Sequence, residues 1–144
     1  MLLDPIDEPE DLTAADLHDA YLDALADVVS NVGVEAAAGR TGLDAGLLAS
    51  LTNGDRPDLS LDDACAILAL TDSWPDADAV RFEIRDSIML GMSSAVMDVD
   101  SLERELDGDL DARTIQQKIE GRRPMSLAEY AAVALTIERE NDYA

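Results

Sequence analysis

A near-duplicated phrase constrains this chain more than any other feature. Its first copy begins Thr41-Gly42-Leu43-Asp44, continues through Leu47-Leu48-Ala49-Ser50-Leu51-Thr52-Asn53, and ends Gly54-Asp55-Arg56-Pro57, then Leu59-Ser60-Leu61. Its second begins Leu110-Asp111, continues through Thr114-Ile115-Gln116-Gln117-Lys118-Ile119-Glu120, and ends Gly121-Arg122-Arg123-Pro124, then Met125-Ser126-Leu127. In each, an Asp opens a short apolar-patterned segment, Gly-x-Arg-Pro closes it, and Ser-Leu opens another. Self-similarity of this kind predicts a duplicated structural unit whose copies can be compared for what each retained.

The pattern around both copies is helical. Thr13 with Asp16 makes a short-armed capping box ahead of Leu17, Tyr21, Leu25, Val28 and Val29, which predicts a helix over 14–31. Gly33 interrupts it, and an Ala-rich helix follows over 34–40. A third starts at Leu43-Asp44 and stops at Asn53-Gly54, and Ser60 with Asp63 caps a fourth carrying Leu61, Ala64, Ile67 and Leu68. After Trp74-Pro75 the series restarts: Asp76 or Asp78 caps a helix with Val80, Ile84 and Ile88, ending near Gly91. A short helix holds Val99, Leu102 and Leu106, Asp107-Gly108 turns the chain, and Asp111 caps the helix 113–119. Ser126 with Glu129 is a full capping box for the last helix. No alternating β-branched run competes, so the expectation is all-α. It divides into a flexible acidic leader (1–12), a first four-helix unit (13–70), a linker (71–78) and a second unit (79–144), the two units packed together.

Composition sets the solvent and the compartment. The net charge is −22, from 32 acidic and 10 basic residues, with Lys118 the one lysine. High net charge defeats compaction when apolar content is low, but apolar residues make up 47% of this chain and recur periodically, so a folded protein is expected. An Asp-rich, Lys-poor, Ala-rich chain resembles a cytosolic protein of an extreme halophile, where molar salt shortens the Debye length to about 3 Å and screens self-repulsion. Cys65 is single, which excludes an internal disulfide and suits a reducing compartment. The acidic N-terminus lacks the basic and apolar regions of a signal peptide, and no apolar run reaches membrane-spanning length. A cytoplasmic protein with no membrane association is predicted.

The small-residue helix, Gly-containing turn, Gly-terminated helix and Arg-Pro-Ser-Leu-like opening of the next helix together resemble the lambda-repressor-like (Cro-type) helix-turn-helix family. Residues 34–69 match most of that pattern and 99–136 match its second half. The chain as a whole also looks like an uncharacterised family of small haloarchaeal proteins, which implies no activity. The helix-turn-helix resemblance implies recognition helices at Asp44–Leu51 and Asp111–Ile119. Reading the major groove requires Arg, Lys, Asn or Gln at base edges and donors for phosphates. The first helix offers Ala45, Gly46, Leu47, Leu48, Ala49 and Ser50, with only Asn53 and Arg56 nearby, so packing is its expected role.

The second copy carries Arg113, Gln116, Gln117, Lys118, Arg122 and Arg123, including four of the chain's ten cations. On this reading Arg113, Gln116 and Gln117 face bases, while Lys118, Arg122 and Arg123 hold phosphates. Asp107, Asp109, Asp111 and Glu120 flank the island, so pairing of these cations with neighbours is the competing account.

Other signals fail on chemistry. Asp107, Asp109 and Asp111 have calcium-loop spacing, but Lys118 stands where the bidentate Glu belongs and Ala112 where the Gly belongs. His18 has no ligand partners in sequence, and Cys65 lies in an apolar run with no base to activate it. Met89, Met92 and Met97 are expected to fill the seam between the units. No cofactor, metal site or catalytic constellation is indicated, so an enzyme is not expected. The sequence therefore supports a small transcriptional regulator contacting double-stranded DNA through residues 111–123, with a homodimer as the expected assembly. The alternative is a cytosolic adaptor that uses the same fold for a protein partner.

Overall fold

The structure, a computed structural model, describes residues 11–106 and 110–143. Most of the acidic leader, and the Asp107-Gly108 turn with Asp107 and Asp109, lie outside the described residues. Eight helices are present and no strand occurs among these residues: α1 (Ala14–Val32), α2 (Val34–Thr41), α3 (Ala45–Thr52), α4 (Leu61–Leu68), α5 (Ala77–Ser94), α6 (Val99–Glu105), α7 (Ala112–Ile119) and α8 (Leu127–Tyr143).

Local chemistry places nearly every helix start. Thr13 and Asp16 form the expected reciprocal box on α1, and Asp44, Ser60, Asp76, Asp98 and Asp111 each accept from the backbone N–H three residues on. Between α2 and α3 the turn is three residues long, and Gly42 sits in the left-handed region at φ 78°. Both Gly-x-Arg-Pro phrases prove to be helix C-caps of one kind. Gly54 N–H donates to Leu51 and Asp55 N–H to Ser50; Gly121 N–H donates to Lys118 and Arg122 N–H to Gln117. These are Schellman motifs, which require a left-handed residue after the helix and so favour glycine; φ is 88° at Gly54 and 80° at Gly121.

The segments after the two phrases meet. Leu61 N–H donates to the Met125 carbonyl and Leu127 N–H to the Leu59 carbonyl, both at 2.8 Å, pairing Ser60 antiparallel to Ser126. The helices then pack reciprocally: α1 lies along α8, α5 lies along α4, and α4 touches α8. One contiguous core results, running from Leu17, Tyr21 and Leu25 through Leu48, Leu51 and Ile67 to Ile84, Leu102, Ile115 and Tyr130. The Tyr21 and Tyr130 rings face each other at its centre, 5.8 Å apart. Leu12, the end of the expected leader, is packed on this core, and its carbonyl accepts from Arg139 of α8.

Two expectations need correction. α5 does not end near Gly91 but continues to Ser94, and the Gly91 carbonyl also accepts from Asn141 of α8. Met89 does not fill the seam: it follows Ile88, the last residue of the buried stripe, and is therefore rotated outward and 62% exposed. Met92 and Met97 are partly buried against the core.

α5 ends in a third Schellman motif, with Val96 N–H on Ser93 and Met97 N–H on Met92, but here the left-handed position is Val96 at φ 56°. A β-branched residue is strained there, by roughly 1–2 kcal/mol, and its side chain is 91% exposed, so it gains no packing in return. Val96→Gly therefore raises stability by about 1 kcal/mol after the entropy of glycine in the unfolded chain is deducted. The urea midpoint of the full chain measures this, and an unchanged or lowered midpoint contradicts it.

Candidate nucleic-acid interface

The predicted site residues all belong to α7 and the turn that follows it, but they do not share one role. α7 buries Ile115 and Ile119 and leaves Arg113 and Gln116 exposed and Gln117 half-buried. Its start is sealed by two carboxylates. Asp111 accepts from Thr114 N–H at 2.7 Å, and Glu103 of α6 reaches across to accept from Ala112 N–H at 2.5 Å. The Asp111 carboxyl is held below the usual carboxylate range, first by its hydrogen bonds from Thr114 and then by the charges of Arg123 and Arg113. An open helix N-terminus attracts phosphate; this one is already occupied by the protein's own anions. The other end of α7 carries the cations Arg122 and Arg123.

Lys118, expected on the phosphate surface, turns inward instead. Its ammonium lies 2.5 Å from Glu129 of α8, and 15% of its side chain is exposed. Glu129 divides its two oxygens: one completes the Ser126 capping box at 2.9 Å, and the other takes Lys118. Burial works to raise the Glu129 carboxyl, but the bonds from Lys118 and Ser126 outweigh it and hold the group below its ordinary value. In the first copy the position 67 residues earlier is Leu51, which is fully buried. Where the first copy has a core leucine, the second has an ion-paired lysine at the matching point.

Glu120 is a second hub. It accepts from the Gln116 amide at 2.5 Å and lies 3.3 Å from the Arg122 guanidinium. The flanking-acid account thus holds for Arg122, through Glu120, while Lys118 is paired with Glu129, an acid outside the flanking set. Arg113 and Arg123 make no ion pair among the described residues, although the charge of each acts on the flanking Asp111 carboxylate. Contrast Arg56, the first copy's equivalent of Arg123, which is clasped by Asp23 at 2.9 Å and Asp19 at 3.4 Å from α1. These carboxylates hold the Arg56 guanidinium pKa above its ordinary value, the Asp23 hydrogen bond contributing most. With Leu48 and Leu51 buried, the first copy packs as expected.

Two cations outside the predicted set join the second copy. Arg81 and Arg85, one turn apart on α5, face the Gly121 turn across a cavity of about 170 Å3 that Lys118, Arg122 and Arg123 also line. Half of the chain's ten cations meet there. Arg81 is paired with Asp78 at 2.5 Å and lies 3.9 Å from Asp62. Arg85 makes no ion pair among the described residues, and its guanidinium lies against Gly121, where any Cβ would collide with it. The sequence signal for this pair was two arginines at helical i, i+4 spacing in a chain with few cations.

The sequence profile of a family of unknown function, DUF5791, matches residues 17–140. The chain belongs to DUF5791. The match spans α1 to α8 and so includes both copies of the phrase and the basic cavity. No curated protein and no solved structure matches the chain.

Elsewhere this DUF5791 chain is chemically quiet. Cys65 is buried, and burial pushes its thiol up to about 12, so it is no nucleophile at neutral pH. No His, Cys, Asp and Glu cluster suited to a metal ion occurs among the described residues. No helix among them is long and apolar enough to cross a membrane.

The Lys118–Glu129 pair makes a testable claim. Because the folded carboxyl titrates lower than the unfolded one, its contribution is fully present above the unfolded pKa of about 4.3 and is lost as pH falls through the folded value. A double-mutant cycle with Lys118→Met and Glu129→Gln gives a coupling of about 1–2 kcal/mol at neutral pH, vanishing at acid pH. A coupling that persists after the carboxyl is protonated refutes the assignment.

Proposed function

We propose that this chain is a non-enzymatic, cytoplasmic double-stranded-DNA-binding regulator built from two lambda-repressor-like helix-turn-helix units, with residues 111–123 as its reading surface. The three-residue α2–α3 turn with left-handed Gly42, and the reciprocal packing of α1 on α8 and α5 on α4, support the duplicated arrangement. The observation that carries the reading is the divergence of the copies: Arg56 is clasped by two aspartates, whereas Arg123 makes no ion pair among the described residues, beside exposed Arg113 and Gln116. Arg113 and the Gln116–Gln117 amides face bases, and Arg122 and Arg123 hold phosphates. Lys118 acts from behind, as the tie between α7 and α8. To present both amide atoms, Gln116 releases Glu120.

A salt-rich cytoplasm fits the charge. Counterion release weakens DNA binding as salt rises, with a log–log slope of about −0.9 per phosphate contact, while the same salt screens repulsion between DNA and the −22 body. The two trends oppose each other, so affinity falls less with salt than the contacts alone dictate.

Anisotropy titrations of genomic DNA fragments in molar KCl test the reading. The wild type binds, Arg122→Ala/Arg123→Ala weakens binding at least about tenfold, and Glu120→Gln strengthens it. No binding by the wild type, or equal binding by wild type and the double variant, refutes it. One observation favours the adaptor reading instead: Phe82 and Met89, two turns apart on α5, are 70% and 62% exposed. Met89 also borders a groove of about 410 Å3 reaching to Gln116 and Ile119. An adaptor keeps its partner when Arg122 and Arg123 are replaced and loses it when Phe82 and Met89 are.

A further inference from the structure

We propose that the cavity between α5 and the Gly121 turn is a binding site for a small phosphate-bearing anion, held chiefly by Arg85 and Arg123. The charge accounting around it is unusual for so acidic a chain. Arg81, Lys118 and Arg122 each have a carboxylate, yet Arg85 and Arg123 line the same cavity with no ion pair among the described residues. Acids outnumber bases 32 to 10, so scarcity of carboxylates does not explain this. Like charges facing one cavity repel, and a dianion between them reverses the sign of that energy. Arginine forks suit phosphate oxygens in paired hydrogen bonds.

The first copy shows what normally fills this place. Aligning the buried stripes Leu17, Tyr21 and Leu25 of α1 with Val80, Ile84 and Ile88 of α5 sets Asp19 and Asp23 against Phe82 and Asp86, and Leu22 against Arg85. In α1 those aspartates close on Arg56 across the turn. In α5 no carboxylate closes on Arg123; Arg85 is there instead, seated on Gly121. The first copy supplies its own anion; in the second, Arg85 and Arg123 line a cavity whose carboxylate, Asp62, is drawn toward Arg81 at 3.9 Å.

Size and shape choose among phosphates. A cavity of about 170 Å3 holds roughly five to six waters' volume, enough for a phosphate group with a few further atoms. The site shares Arg122 and Arg123 with the proposed DNA surface, but Arg85 lies outside residues 111–123 and Arg113 and Gln116 do not line the cavity, so Arg85 separates the two readings.

Calorimetric titration of the full chain with inorganic phosphate, at constant ionic strength against chloride, tests this, with circular dichroism verifying that each variant is folded. The wild type binds phosphate saturably at one site, and Arg85→Gln weakens it at least about tenfold, as loss of a charged hydrogen bond requires. Gly121→Ala keeps every charge but displaces the Arg85 guanidinium, and it weakens binding comparably. Gly54→Ala carries the same left-handed strain in open space and binds normally. If Gly121→Ala does not fold, the helix-surface Arg85→Gln variant decides alone. No saturable phosphate binding by the wild type, or equal binding by wild type and Arg85→Gln, overturns the proposal. DNA titrations separate the two phosphate sources. Arg85→Gln that loses phosphate but keeps DNA supports a free anion; equal loss of both assigns the cavity to a backbone phosphate and overturns it. Phosphate binding without DNA binding removes the DNA reading alone.

Discussion

Two backbone hydrogen bonds between Leu59–Leu61 and Met125–Leu127 set the register of everything around them. Their net energy is modest, about 0.5–1.5 kcal/mol each, but their position is not. Each segment is the entry to a capped helix, so pairing Ser60 with Ser126 lays the starts of α4 and α8 side by side. Leu59, Met125 and Leu127 are buried while the paired serines stand half-exposed as helix caps. A slip of one residue would turn the serines inward and the leucines outward. With α4 and α8 fixed, α1 and α5 each lie against the other copy's last helix, and the two Ala-rich halves, neither with much core of its own, share one.

That sharing explains why a charge of −22 is compatible with a packed interior. Among the described residues the core contains no buried charged side chain, and the acids are spent on helix caps and the outer surface. Aspartate suits this use, since its short side chain reaches the backbone N–H three residues on and favours the positive end of the helix dipole. The cations are distributed differently. Half of them converge on one cavity, where Arg81, Lys118 and Arg122 are ion-paired and Arg85 and Arg123 make no ion pair among the described residues. At a Debye length of about 3–8 Å the groups lining the cavity, Asp62 included, outweigh the distant acids, which are screened.

Much of the architecture was legible because it rests on short-range chemistry. The caps at Thr13, Ser60, Asp111 and Ser126, the buried stripe Val80, Ile84 and Ile88, and the packing role of α3 follow from spacing alone. The extension of α5 through Gly91 was not legible, because a Schellman stop at Val96 offers no glycine to signal it. Nor were contacts that join distant segments: Glu103 capping α7, Lys118 tied to Glu129, and Arg85 lying on Gly121 depend on which helices become neighbours. The candidate site was therefore half legible. Its residues from α7 and the turn stand out as a basic island, while its other wall, on α5, is visible only once the chain is folded.

The duplicated turn is best understood as one backbone device in two charge settings. Gly-x-Arg-Pro stops a helix, projects an arginine two residues beyond the glycine, and delivers the chain to the central pairing; all of that is common to Arg56 and Arg123. What differs is the helix opposite. Where α1 presents Asp19 and Asp23, the arginine is neutralised and the turn is closed by its own side chains. Where α5 presents Arg81 and Arg85, Arg122 closes on Glu120 while Arg123 makes no ion pair among the described residues, and Leu51's counterpart is Lys118, whose pair with Glu129 braces α7 against α8. Stability alone does not account for that second arrangement, since the first shows that paired aspartates and a buried leucine satisfy the same fold at lower electrostatic cost. Arg85 and Arg123, which make no ion pair among the described residues while Arg81, Lys118 and Arg122 do, are what sets the second copy apart from the first and what the proposed anion site rests on.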